Sequence, residues 1–184
     1  KNSNRLTARK QNERIWIEAW GNNALRDRVS HNVDFTVDDK ALSPVLSSAQ
    51  ITIDDSKASI RNRKISCVIA KSGWLEFYSD KKPILKEYYR GFGNANEHSP
   101  SMKFHAREFK AVSGNDYSIT ARFESQDGEK IFGMGQYQQP ELDLKGCVLE
   151  LAQRNSQISV PFYLSNKGYG FLWNNAGIGE VMFG

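Results

Sequence analysis

Short alternating runs dominate the chain. From Glu13 to Trp20, the residues Ile15, Ile17 and Ala19 fall on one face and Trp16 and Trp20 on the other, the period-two pattern of a half-buried strand. Gly21-Asn22-Asn23 supplies turn chemistry, and Ala24 to Val29 is expected to return as a second strand. Strands follow over Gln50 to Asp54, Ala58 to Arg61, Lys64 to Ala70, Trp74 to Ser79 and Ile84 to Tyr89; in the third of these, Ile65, Cys67 and Ile69 share a face. Gly91 to Lys103 has almost no apolar residue and reads as a surface loop. Phe104 to Val112 resumes the pattern. Tyr117, Ile119, Ala121 and Phe123 then alternate strictly with polar neighbours. Gln126-Asp127-Gly128-Glu129 predicts a hairpin turn that brings Lys130 to Met134 back alongside. Cys147 to Ala152, Ser159 to Leu164, Tyr169 to Trp173 and Glu180 to Phe183 complete about thirteen short strands. No run of about ten residues carries the helical period. The expected fold is all-β, an antiparallel β-sandwich without an internal domain boundary over residues 13–184. Residues 1–12 are polar, lack apolar periodicity, and read as a solvated leader.

Composition narrows the function classes. The 184 residues are 39% hydrophobic, enough for a real core and against wholesale disorder. The net charge of +4 arises from 25 basic and 21 acidic residues that are interspersed. Nucleic-acid binding needs clustered Lys and Arg to displace counterions, and it is not expected here. No apolar run is long enough to span a membrane, and no signal segment follows Lys1-Asn2-Ser3. The chain has no initial Met and stops just after a strand, so it is expected to be a piece of a longer protein. The two cysteines, Cys67 and Cys147, lie in apolar runs and read as buried thiols, which favours a reducing, cytoplasmic compartment without assigning one. No C-x-x-C occurs and the histidines His31, His98 and His105 are scattered, so neither metal nor other cofactor is expected.

Candidate chemistry concentrates late in the chain. Glu141 and Asp143, near Glu150, are the carboxylates to test as a glycosidase pair, which must face each other about 5 to 10 Å apart. Loop carboxylates are most often simply solvated. Gly133-Met134-Gly135 follows a strand, but no helix opens after it to hold a phosphate. Gln136-Tyr137-Gln138-Gln139 alternates amides with an aromatic ring. Amides exchange hydrogen bonds with hydroxyls and ring faces stack on sugar C–H faces, a composition that suits carbohydrate. Leu142 and Leu144, two residues apart, would point to one side of an extended loop.

This segment resembles glycoside hydrolase family 31, which includes α-glucosidases, α-xylosidases and related transglycosylases. The resemblance rests on Gly133 to Gly135, the Pro161-Phe162-Tyr163 strand, and Gly168-Tyr169-Gly170 running to Asn174. It is strongest over residues 130–184, and looser over 13–125, where Trp16 to Arg28 resembles the family's opening hairpin. It implies an N-terminal galactose-mutarotase-like supersandwich that packs on a (β/α)8 catalytic barrel. Both catalytic aspartates would belong to that barrel, one of them in a Trp-x-Asp motif that this chain lacks. No catalytic residue is therefore expected in residues 1–184, and the chain alone is expected to be inactive. The resemblance further implies that a loop, here Gln136 to Gly146, reaches the sugar site. The expected substrate contacts are Gln136, Tyr137, Gln138, Asp143 and Arg154. Gln136 stands where many members have Glu, and no Asn-Arg-Asp occurs in the loop. The expected partners are an oligosaccharide in the parent's active site and the catalytic barrel of the same polypeptide. Two rival readings remain. A free-standing carbohydrate-binding module would show three coplanar exposed rings. An aldose epimerase would pair a His with a Glu in a cleft, with His98 and His105 as candidates.

Overall fold

The computed structural model describes residues 4–31, 35, 42–43, 45–90, 104–114 and 116–184. Among them every regular element is a strand, and all pairings between strands are antiparallel. The chain divides into two compact units, Lys1–Glu124 and Ser125–Gly184, where the sequence showed no boundary. The stretch from Gly91 to Lys103, expected as a loop, lies outside the described residues, and so does His98.

The first unit is built on two facing sheets. One has β1 (Arg5–Lys10), β2 (Glu13–Ala19) and β3 (Leu25–His31). The other is a five-stranded meander of β4 (Gln50–Ile53), β5 (Lys57–Asn62), β6 (Ile65–Ala70), β7 (Leu75–Ser79) and β8 (Lys82–Lys86). Leu6, Ile15 and Ile17 pack against Ile60, Cys67, Ile69 and Leu75 to form the core. Each such side chain, fully buried, stabilises the fold by about 1.5 to 3 kcal/mol. A separate pair joins β9 (Arg107–Ala111) to β10 (Tyr117–Ala121). Asn62, buried beside this core, donates from Nδ2 to the carbonyls of Gly21 (2.9 Å) and Ala24 (2.8 Å), and so fixes the turn expected there.

Two expectations need correction. Residues 5–10 are not a solvated leader but the strand β1. Its inward positions are filled by Leu6 and the small Ala8, while on its outward face the Arg5 guanidinium lies 3.9 Å from the Trp16 ring centroid. One large apolar residue in six left the alternation too faint to see. The Asp127-Gly128 turn forms, with Gly128 at φ 64°, but it does not join a hairpin. β10 pairs with β9, and the strand after the turn pairs with one far downstream. Turn chemistry is local, whereas the partner is chosen by long-range burial.

In the second unit β11 (Ile131–Gln136), β13 (Ile158–Ser165) and β14 (Tyr169–Leu172) form one sheet, in the order β11-β13-β14. β12 (Val148–Leu151) pairs with β15 (Gly179–Met182). Ile131, Met134, Leu144, Leu149 and Phe183 form its core.

Candidate functional site

Gly133, Met134 and Gly135 interrupt β11 with three successive positive φ angles, 117°, 70° and 98°. The register against β13 shifts between the two glycines. A Cβ on Gly135 would stand 2.2 Å from the Ile158 carbonyl oxygen, and one on Gly133 2.8 Å from that of Phe162. The motif is therefore a β-bulge in which two backbones touch, not a phosphate cradle. Between them Met134 turns its side chain into the core. The bulge sets the direction in which the chain leaves β11 for the loop 136–146.

That loop is tied to its own unit. Asp143 Oδ1 accepts from the Ile131 amide (3.0 Å) and the Lys145 amide (3.2 Å), and the Leu144 amide donates to the Ile131 carbonyl (2.8 Å). The Ile131 amide holds the Asp143 carboxyl below the ordinary value of 3.8; slight burial opposes this and the Lys145 amide adds to it. Leu144 is 3% exposed and sits in the core, whereas Leu142 is 81% exposed. The two leucines thus point apart, against the expectation that both point to one side of the loop. The loop turns at Asp143 rather than running extended.

The expected contact residues meet different fates. The Tyr137 ring packs on the core, and its hydroxyl lies 2.9 Å from the Glu150 carbonyl and 2.7 Å from Ser159 Oγ. The Gln153 side chain brackets Ser159, with Nε2 donating to its carbonyl (2.7 Å) and Oε1 accepting its amide (3.1 Å). Arg154 pairs with Glu150 through Nε (2.8 Å) and Nη2 (2.5 Å), both side chains being largely exposed. Gln136 and Gln138 are exposed, one ending β11 and the other opening the loop. Glu141, Asp143 and Glu150 do not act as a facing pair: Asp143 is turned to backbone, Glu150 to Arg154, and Glu141 to solvent.

Sequence reasoning missed a buried acid. Glu129 Oε1 accepts from the Ser165 hydroxyl (2.5 Å) and the Tyr169 hydroxyl (2.7 Å). Burial, with the neighbouring Tyr163 and Glu129, raises the pKa of the Tyr169 phenol; burial also pushes Tyr163 up to about 12. The tyrosine of Gly168-Tyr169-Gly170 is thus an anchor for Glu129. Among the described residues Trp74 and Tyr89 make a tight ring stack, 3.2 Å between centroids at 19°, which is a stacked pair rather than a row of coplanar exposed rings.

Residues 5–181 match the sequence model of the Glycosyl hydrolase 31 N-terminal galactose mutarotase-like domain. The chain belongs to glycoside hydrolase family 31. It is 44% identical over 192 residues to an uncharacterised family 31 glucosidase of Pseudescherichia vulneris, covering 98% of this chain and 36% of that protein. Over 74 residues it is 36% identical to an α-xylosidase of Saccharolobus solfataricus, 35% of this chain and 10% of that protein. Among solved structures, a family 31 α-xylosidase from a soil metagenome, complexed with xylose, superposes with a TM-score of 0.90 at 41% identity, covering all of this chain and 29% of that one. The chain thus spans about a third of the length of these full-coverage relatives. The expected all-β, galactose-mutarotase-like fold and the family resemblance both hold.

Proposed function

We propose that the chain is the accessory N-terminal domain of a retaining α-glycosidase of the α-glucosidase or α-xylosidase type, packing on a catalytic barrel of the same polypeptide and lending the loop 136–146 to its sugar site. The observation that carries this reading is the match across residues 5–181, joined to relatives about three times as long. The β13 surface supports it. Ile158, Val160, Phe162 and Leu164 point to one side of that strand and are between 39% and 56% exposed, a stripe that suits a neighbouring domain. Within the loop, Gln136 and Gln138 are the amides turned outward, and they are proposed to hydrogen-bond sugar hydroxyls. Tyr137 and Asp143 hold the loop in shape, and Arg154 with Glu150 forms the charged rim beside it. The acid and nucleophile would come from the barrel.

Kinetics of the full-length enzyme test the reading. Gln138→Ala is expected to raise KM several-fold for substrates with a sugar leaving group and to leave kcat on activated aryl glycosides unchanged. Equal loss of kcat on every substrate would place the loop in the catalytic centre. Turnover of aryl α-xylosides by the 184-residue chain alone, abolished by Glu141→Gln, would overturn the accessory role.

A further inference from the structure

The β12–β15 ladder presents an exposed face of its own, made of residues outside the stripe on β13. Leu149 and Val181 turn inward to the core of the second unit, so alternation turns Val148 and Glu150, with Glu180 and Met182, outward. Val148 is 51% exposed and Met182 68%; Ile178, which precedes Glu180 as Met182 follows it, is 84% exposed. The register sets Val148 opposite Met182 and Glu150 opposite Glu180. The Phe183 amide donates to the Cys147 carbonyl (3.0 Å), which makes Cys147 and Phe183 a hydrogen-bonded pair. The ladder alternates from there, so both outward pairs are of the non-hydrogen-bonded kind, whose side chains stand closest. Two carboxylates in that position repel each other. Arg154 relieves one of them, its Nε and Nη2 both donating to Glu150 Oε2 (2.8 and 2.5 Å). Among the described residues no cation pairs with Glu180.

This pattern selects its occupant by charge and by polarity together. A free inorganic cation would answer the two carboxylates and leave Val148, Met182 and Ile178 in water. A purely apolar surface would cover those three side chains but bury two acids with one cation between them, and burying an unpaired charge is strongly unfavourable. An acidic surface would add to the repulsion. The complement is a basic side chain flanked by apolar ones: its charge turns the Glu150–Glu180 repulsion into a bridge, and its neighbours cover the apolar residues on either side. The relatives that match the whole chain are about three times as long, so most of such a protein lies beyond this domain. We infer that the β12–β15 face docks a segment of the catalytic domain in which a lysine or arginine, flanked by apolar side chains, sits between Glu150 and Glu180. The inference rests on the accessory-domain reading and is independent of the loop 136–146.

Met182 makes the test local, because peroxide oxidises an exposed methionine to its sulfoxide and spares a covered one. In the full-length protein, followed by peptide mass spectrometry, Met182 is expected to oxidise about tenfold more slowly than free methionine. Met134, 3% exposed in the core, marks the rate of a buried side chain in the same sample. Glu180→Lys in the full-length protein sets a cation against the incoming one, and is expected to speed Met182 oxidation about fivefold. Within this domain the same change places Lys opposite Glu150, an attractive cross-strand pair, so the ladder itself is not weakened and Met134 should keep its slow rate. Glu180→Gln, which removes the charge without reversing it, is expected to give a smaller rise in the same direction. A Met182 that oxidises in the wild-type full-length protein as fast as free methionine would overturn the assignment and leave the accessory reading, which the kinetics of Gln138→Ala test, in place. Protection of Met182 unmoved by both substitutions would overturn it as well, since the face would then be covered without a basic side chain between the two carboxylates.

Discussion

Tyr169 and Glu129 are joined by a 2.7 Å hydrogen bond, donated by the phenol to Oε1 of a carboxylate that is almost wholly buried. Ser165 donates to the same oxygen. Two hydroxyls from β13 and β14 thus hold one acid of the segment that leads into β11. Tyr169→Phe keeps the ring and removes one of these donors. Hydrogen bonds to charged groups contribute about 1.5 to 3 kcal/mol, so a loss of that order in urea unfolding is expected. A change below about 0.5 kcal/mol would mean that Glu129 is held by Ser165 alone.

The bulge makes a steeper prediction. Gly135→Ala places a methyl group 2.2 Å from the Ile158 carbonyl oxygen at a φ of 98°, so the β11–β13 ladder must open. Loss of the folded second unit is expected, read as collapse of its amide dispersion. Gly128→Ala also has a positive φ, 64°, but nothing lies within 4 Å of the new methyl. Its cost should stay near the conformational term alone, about 1 to 2 kcal/mol. Equal effects of the two substitutions would show that close backbone approach is not what requires glycine at 135.

In the first unit the Arg107–Glu87 pair is 7% and 3% exposed at its side chains. Burial raises the Glu87 carboxyl above its ordinary range against the pull of Arg107, and burial opposes the Arg107 charge less than Glu87 and Glu13 support it. Arg107→Met would strand a buried acid, a change that typically costs about 3 to 5 kcal/mol. Adding Glu87→Met removes the stranded acid and is expected to recover part of that loss. A double variant no more stable than Arg107→Met would contradict this account.

Asp143 gives the loop a pH dependence of definite sign. Its carboxyl is depressed below 3.8 by the Ile131 amide, so its stabilisation is present above 3.8 and is lost as pH falls through the lower folded value. Hydrogen exchange at Ile131 and Lys145 is expected to accelerate below pH 3.8, before the neighbouring β13–β14 ladder opens. Asp143→Ala should abolish that acid step and leave both amides poorly protected at every pH. Unchanged protection in the variant would show that Asp143 does not hold the loop.

What the sequence disclosed follows from the range of each interaction. Ile15 and Ile17, and Cys67 and Ile69, recur at every second position over a few residues, so their shared face and the sandwich were visible. Strand β1 was hidden because its inward positions hold Leu6, Ala8 and the stem of Lys10, and its Arg5 lies on Trp16. The Glu13–Arg107–Glu87 network joins residues far apart in the chain, which no spacing rule reaches. At the loop, the amide and aromatic composition marked the region, yet the roles of Tyr137 and Asp143 depend on which backbone groups need partners. Those needs become visible only once the bulge at Met134 has set the path of the chain.

The apolar stripe on β13 carries the last prediction. Phe162 lies opposite Leu172 and Leu164 opposite Gly170, where the missing side chain leaves both larger ones room to spread over β14. Ile158, Val160, Phe162, Leu164 and Leu172 therefore present a continuous surface that water wets at a cost of roughly 25 cal/mol per Å². The isolated chain is expected to self-associate through it, with a sedimentation coefficient that rises with concentration. Val160→Thr combined with Leu164→Glu keeps β propensity at one position and adds charge at the other. Since both side chains point outward, the pair should change unfolding stability by less than about 1 kcal/mol while shifting the chain toward monomer. In the full-length protein the same pair should split one thermal transition into two, because the domain that covers the stripe would lose its hold on it. A wild-type chain that stays monomeric at high concentration, together with a full-length variant that still melts in a single step, would rule the stripe out as the docking face. The neighbour would then have to meet this domain elsewhere.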